Sequence, residues 1–156
     1  MGESTPIFEN AFGSPGGAMD MLPKPACGKL PLLITGSSQQ DEEWIAHHGD
    51  GWMIYPRDLN LQSQLIDGWR KRLNKAGRAI LPVLQPLYID LTENPDQRPQ
   101  PIHLGFRLGI RFLREYLEAA RSIGINHIAV NLRFNRTDVE DTMRCLGDEI
   151  VPDFHC

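Results

Sequence analysis

Short continuous apolar runs alternate along this chain with apolar stripes at helical spacing. Leu32–Thr35 reads as a short strand that stops at Gly36. Ser38–His48 follows as a helix, with Trp44 and Ile45 apolar. Asp41, Glu42 and Glu43 fall near its start, where carboxylates suit the positive end of the helix dipole. Gly49-Asp50-Gly51 is turn chemistry, and Trp52-Met53-Ile54-Tyr55 is a second strand ended by Pro56. Asp58 caps a helix over 59–76 whose stripe is Leu61, Leu65, Ile66, Trp69 and Leu73, and Gly77 closes it. Ile80–Leu91 holds a third strand, placed at Pro86–Leu91. The polar, Pro-rich stretch TENPDQRPQP (92–101) predicts a loop. A long helix over 103–123 carries Leu104, Leu108, Phe112, Tyr116 and Ala120 and stops at Gly124. His127–Leu132 is a fourth strand, and Thr137 caps a last helix to about Leu146. Residues 1–30, with five glycines, four prolines and no periodicity, predict an irregular lead-in to a folded domain over 31–156.

Four strand–helix units in succession predict an α/β fold with a parallel sheet and right-handed crossovers. An open doubly wound sheet satisfies this, and so does part of a (β/α)8 TIM barrel. A whole barrel takes about 250 residues, so 156 residues supply half of one. Half a barrel leaves two sheet edges unpaired and invites association.

Composition narrows the partners. A net charge of −4 lacks the basic face that nucleic acid requires. No apolar run approaches the roughly 20 residues of a membrane span. The opening MGESTPIFENAFGSPGG has neither a basic n-region nor an apolar h-region, so no secretory signal peptide is expected. Cys27, Cys145 and Cys156 are too few and too scattered for a disulfide framework or a zinc site, and predict free thiols in the cytoplasm.

The best candidate for binding chemistry is Gly36-Ser37-Ser38-Gln39-Gln40. Free N–H groups at a helix start bind phosphate, glycine allows close approach, and the serines add donors. The same residues also read as a capping box, with Ser38 as cap and Asp41 reaching back. Tyr55 and Arg57 follow the second strand, at the end where barrel enzymes place their sites. His103 and Arg107 open the long helix, as an acid–base and an anion partner respectively. Asn131 and Arg133 end the fourth strand, while His47 and His48 at a helix end have no partner at metal-ligand spacing. No metal site is expected.

The run LPLLITGSSQQDEEWIAHHGDGWMIYPRDL resembles the C-terminal half of the luciferase-like, flavin-dependent monooxygenase family. The blocks LYIDLTENPD, PIHLGFRLG and GINHIAVNLRFNR are similar to its luciferase-type oxidoreductase subgroup. The likeness covers about residues 22–154. It implies a (β/α)8 barrel, usually dimeric, that binds FMN or the deazaflavin F420 at the carboxyl ends of its strands. The four units here correspond to the last four strands. The resemblance assigns the cofactor phosphate to Gly36, Ser37, Ser38 and Gln39, with Tyr55 in the pocket wall and His103 and Arg107 on the active-site side. The implied reaction is oxidation of a small organic substrate by reduced flavin and O2, or hydride transfer with F420. The alternative is an inert half-barrel association module. Either way the expected partner is a second copy or a missing N-terminal half.

Overall fold

The computed structural model describes residues 26, 28, 30–37 and 39–154. Nearly all of the predicted lead-in, together with Ser38, Cys27 and Cys156, lies outside the described residues. From Leu32 onward the elements are β1 (Leu33–Thr35), α1 (Glu42–His48), β2 (Gly51–Met53), α2 (Leu59–Lys75) and β3 (Val83–Leu91). They continue as β4 (Gln100–Ile102), β5 (Gly105–Leu108), α3 (Ile110–Ser122), β6 (His127–Asn131), α4 (Val139–Glu149) and α5 (Val151–Phe154).

Local chemistry sets the helix ends. Asp58 caps α2 as predicted, its carboxylate accepting from Asn60 N and Leu61 N. Two other starts differ from expectation. Asp41, not Ser38, caps α1, accepting from Trp44 N at 2.6 Å. Asp138, not Thr137, caps α4. An ionised carboxylate at the cap accepts more strongly than a hydroxyl and adds favourable charge at the dipole. The end of α1 is closed by Arg78, whose Nη1 donates to the carbonyls of Ala46, His47 and Gly49.

The largest correction falls between residues 100 and 109. The predicted helix over 103–123 begins only at Ile110. Before it, β4 and β5 form an antiparallel hairpin with Ile102 opposite Gly105, turning through His103 and Leu104. The predicted loop over 92–101 thus gives its last residues to β4. Pro101 is tolerated there because β4 is an edge strand.

β1, β2, β3 and β6 pair in parallel and in chain order. A doubly wound sheet reverses its order at a switch point, whereas a barrel adds each strand to the previous one. The consecutive order therefore selects the barrel-like half over the open sheet. β3 is the long axis. Leu84 pairs with both Met53 and His127, and Tyr88 with both Gly105 and Asn131. So β6 fills one edge of β3, while β2 and then β5 share the other in tandem. That arrangement explains Pro86, which the sequence reading placed at the start of the strand. Pairing on the β2–β5 edge skips Gln85–Leu87, with Ile54 N bonding Leu84 O before the gap and Tyr88 N bonding Leu104 O after it. A residue without an N–H breaks no ladder bond there.

The sheet is covered on one face. Ile34, Trp52 and Val83 pack with Ile45, Ile66 and Trp69 of the first two helices. Leu87, Ile89 and Leu91 pack with Leu108, Leu113 and Leu117. The intervening residues Leu33, Thr35, Met53, Leu84, Pro86 and Tyr88 occupy the other face and remain half-buried or exposed. A barrel turns that face inward.

Candidate functional site

At the carboxyl end of β1 the chain turns through Gly36 and Ser37. Gly36 N donates to Met53 O at 2.7 Å, and the indole Nε1 of Trp52 donates to Gly36 O at 2.7 Å. Trp52 is 4 % exposed and its ring lies tilted against that of Trp69 at 5.0 Å between centroids, so the turn is pinned to the core. Gly36 has φ +57° and Gln39 φ +62°, and Gln40 N donates to Ser37 O across Gln39. A methyl group at Gly36 would meet nothing closer than Tyr55 Cε2 at 3.8 Å, which places the Tyr55 ring beside the turn. Gly36, Ser37, Gln39 and Tyr55 are thus brought together. Because α1 starts only at Glu42, behind the Asp41 cap, and is seven residues long, these residues form a separate turn ahead of the helix.

His103 and Arg107 lie elsewhere, on the β4–β5 hairpin. His103 is in its two-residue turn, and its ring stands 5.8 Å from that of Tyr88 and 6.2 Å from that of Phe134. Tyr88 and Phe134 are 5.3 Å apart, so the three rings form one cluster. Arg107 pairs in register with Asp90, and its Nε lies 3.7 Å from Asp90 Oδ2. Arg136 approaches the same oxygen through Nε at 3.4 Å, and its backbone N donates to Asp90 Oδ1 at 3.1 Å. The Asp90 side chain is 3 % exposed. A buried carboxylate needs such partners, since an unpaired one would cost several kcal/mol.

The loop after β6 is lashed in place. Asn135 Oδ1 accepts from Leu91 N at 3.0 Å and the Thr137 hydroxyl donates to Leu91 O at 3.2 Å. Asn131 Oδ1 accepts from Arg133 N, and the Arg133 guanidinium lies 5.8 Å over the Phe134 ring. Tyr88, Asp90, Phe134 and Arg136 were missed by sequence reasoning. Asp90 had a signal: a carboxylate in the apolar run Leu87-Tyr88-Ile89-Asp90-Leu91, at a strand's carboxyl end.

Away from this face, an open groove of about 650 Å³ runs beside the outer edge of β6, between Leu117, Ile128, Val130, Ile150 and Phe154. Its lining is mostly apolar, with Arg121, Asn126 and His127 as the polar side chains. Among the described residues no three His, Cys, Asp or Glu side chains converge on a metal position. No described helix is long and apolar enough to cross a membrane.

The fold has counterparts among solved structures. An F420-dependent secondary alcohol dehydrogenase, in complex with an F420-acetone adduct, superposes with a TM-score of 0.70 at 12% identity, over 99% of this chain and 57% of that one. The coenzyme F420-dependent tetrahydromethanopterin reductase of Methanopyrus kandleri gives 0.70 at 10% identity, over 95% and 58%. DmoA of Hyphomicrobium sulfonivorans gives 0.63 at 13%, over 94% and 45%. At such identities the likeness is one of fold: α/β, with a mostly parallel sheet like that of luciferase-like TIM-barrel proteins.

In sequence, the chain is 32% identical over 87 residues to uncharacterised proteins of Mycobacterium tuberculosis and Mycobacterium bovis. That match takes in 53% of this chain and 29% of theirs, so the chain spans less than a third of the length of these relatives. No family model matches the chain.

Proposed function

We propose that this chain is the carboxyl-terminal part of a luciferase-like oxidoreductase that binds a flavin or deazaflavin at the carboxyl ends of its strands. The observation that carries the reading is the Gly36–Gln39 turn, which ends β1, is pinned by Trp52 and holds two residues at positive φ. Backbone kept in a sparsely populated conformation at a strand end supports a functional role. The open space at Gly36 suits close approach of a ligand to the backbone.

Under this reading the backbone amides of Ser37, Ser38 and Gln39 and the hydroxyls of the two serines are the phosphate donors. The dipole of α1 contributes little, because Asp41, Glu42 and Glu43 crowd its start with negative charge. Tyr55 supplies an apolar wall, and His103 and Arg107 face the substrate from the β5 side. The bound cofactor supplies the electron or hydride transfer, and the protein orients it and shields it from water. With FMN the reaction is oxygenation of a small organic molecule by O2. With F420 it is hydride transfer, a second reading favoured by the two F420-dependent enzymes that share the fold. A cytoplasmic setting suits the free thiol of Cys145.

Titrating the purified chain with FMN and separately with F420, followed by quenching of cofactor fluorescence, tests the reading. Saturable binding of one of them is expected. Gly36→Ala should weaken it about tenfold, as strain of about 1.4 kcal/mol in the turn would. No binding of either cofactor, or unchanged affinity in both Gly36→Ala and Ser38→Ala, would overturn it.

A further inference from the structure

The Asp90 cluster holds more positive charge than its carboxylate needs. One guanidinium would balance the buried carboxylate, yet both Arg107 and Arg136 converge on Oδ2. Each arrives by its Nε, and neither arginine's terminal Nη nitrogens make a hydrogen bond to another described residue. The Arg136 side chain is 72 % exposed and that of Arg107 35 %. A guanidinium that turns its Nε side to the carboxylate presents its terminal N–H groups as a fork, a shape that matches a carboxylate or a phosphate.

The neighbouring surface is aromatic. Tyr88 lies two residues before Asp90 on the same face of β3, roughly 7 Å away on the usual rise of about 3.3 Å per residue. With His103 and Phe134 it makes the ring cluster whose centroids stand 5.3 to 6.2 Å apart. Phe134 is 39 % exposed, and His103 is exposed too. Rings left open to solvent on a sheet's uncovered face accept a flat apolar body.

We propose that Asp90, Arg107 and Arg136, with the rings of Tyr88, His103 and Phe134, form a subsite for a planar aromatic acid. The acid group takes the two guanidiniums and the ring lies against the aromatic cluster. Asp90 is a positioning residue that fixes both arginines without touching the ligand. The inference names the substrate class for the face read above as the reacting one, and so rests on that reading. Its test needs no cofactor.

The purified chain, free of flavin, is titrated with benzoate while amide chemical shifts are followed by NMR. Cyclohexanecarboxylate and inorganic phosphate serve as comparison ligands. Saturable benzoate binding on the order of millimolar is expected, as befits a small ligand of few atoms. Shifts should appear at both Arg136 and Phe134, with weaker binding of the non-planar acid. Arg136→Gln, a change at a mostly exposed side chain that leaves Arg107 paired with Asp90, should weaken benzoate about tenfold through loss of a charge-assisted pair. Absence of saturable binding would overturn the proposal. So would unchanged affinity in Arg136→Gln, or shifts confined to the arginines with phosphate binding as well as benzoate. Benzoate binding without FMN or F420 binding would instead sink the cofactor reading and leave this subsite standing.

Discussion

Tyr116 joins the two halves of the core, because its ring packs against both clusters and stands 5.4 Å from that of Phe106. Its hydroxyl accepts from Gln85 Nε2 at 2.8 Å, and Gln85 Oε1 in turn accepts from Gln62 Nε2 at 2.7 Å. Burial pushes the Tyr116 phenol above its ordinary value of 10.0, and the hydrogen bond from Gln85 only partly offsets this. The neutral form is the one the fold favours. This contribution is therefore complete below pH 10 and is lost as pH rises through the raised folded-state value. An ultraviolet titration should show a tyrosinate step displaced above pH 10 that disappears in Tyr116→Phe. Identical alkaline unfolding midpoints in the two proteins would refute the linkage. Two other residues show where single positions escape sequence reasoning. Gly105 stands where any Cβ would lie 1.8 Å from Tyr88 O, so only glycine lets the hairpin sit against β3. Leu104 takes φ +51°, a conformation usually left to Gly or Asn, and nothing in its side chain announces it.

Among the elements, α2 was the most readable, because the cap, the closing glycine and the stripe all agree save for Leu61, which is exposed while Gln62 beside it is buried. Asp58 precedes the stripe and Gly77 takes φ +66°. Asp58→Ala should lower stability by about 1 kcal/mol, measured by urea unfolding, while Thr137→Ala does so through its contacts with Leu91 and Thr142 rather than through capping. A neutral Asp58→Ala would mean that packing alone sets where α2 begins. The hairpin was the least readable element. Leu104 and Leu108 fall four apart and so imitate the stripe of the helix that follows, while the turn lacks its usual residue. Moving the start of α3 to Ile110 takes Arg107 off the helical face and onto a strand beside Asp90. The same correction carries His103 from a helix end to a hairpin turn. Arg114 ties α3 to the end of the chain, through Glu149 and Asp153, a link between distant residues that periodicity does not disclose.

At the scale of the molecule, one face of the sheet and the outer strands β1 and β6 lack cover among the described residues. β1 pairs only with β2 and β6 only with β3, and Leu33 and Val130 on those strands are 40 % and 41 % exposed. Unpaired edges beside apolar surface favour association. Sedimentation velocity at micromolar concentration should find dimers or larger species of the purified chain, or a complex with a supplied N-terminal half. A strictly monomeric chain that binds no hydrophobic dye would count against this. The succession of strand–helix units, most of the core and the Asp58 cap were written in the order of residue types, because each depends on neighbours within a few turns of chain. Tertiary structure alone decided that the strands follow one another without a reversal, that Pro86 fills a gap between two partners, and that Asp90 meets Arg107 and Arg136. Those facts depend on residues 17 to 46 positions apart meeting across the sheet, and local pattern carries no record of such distances.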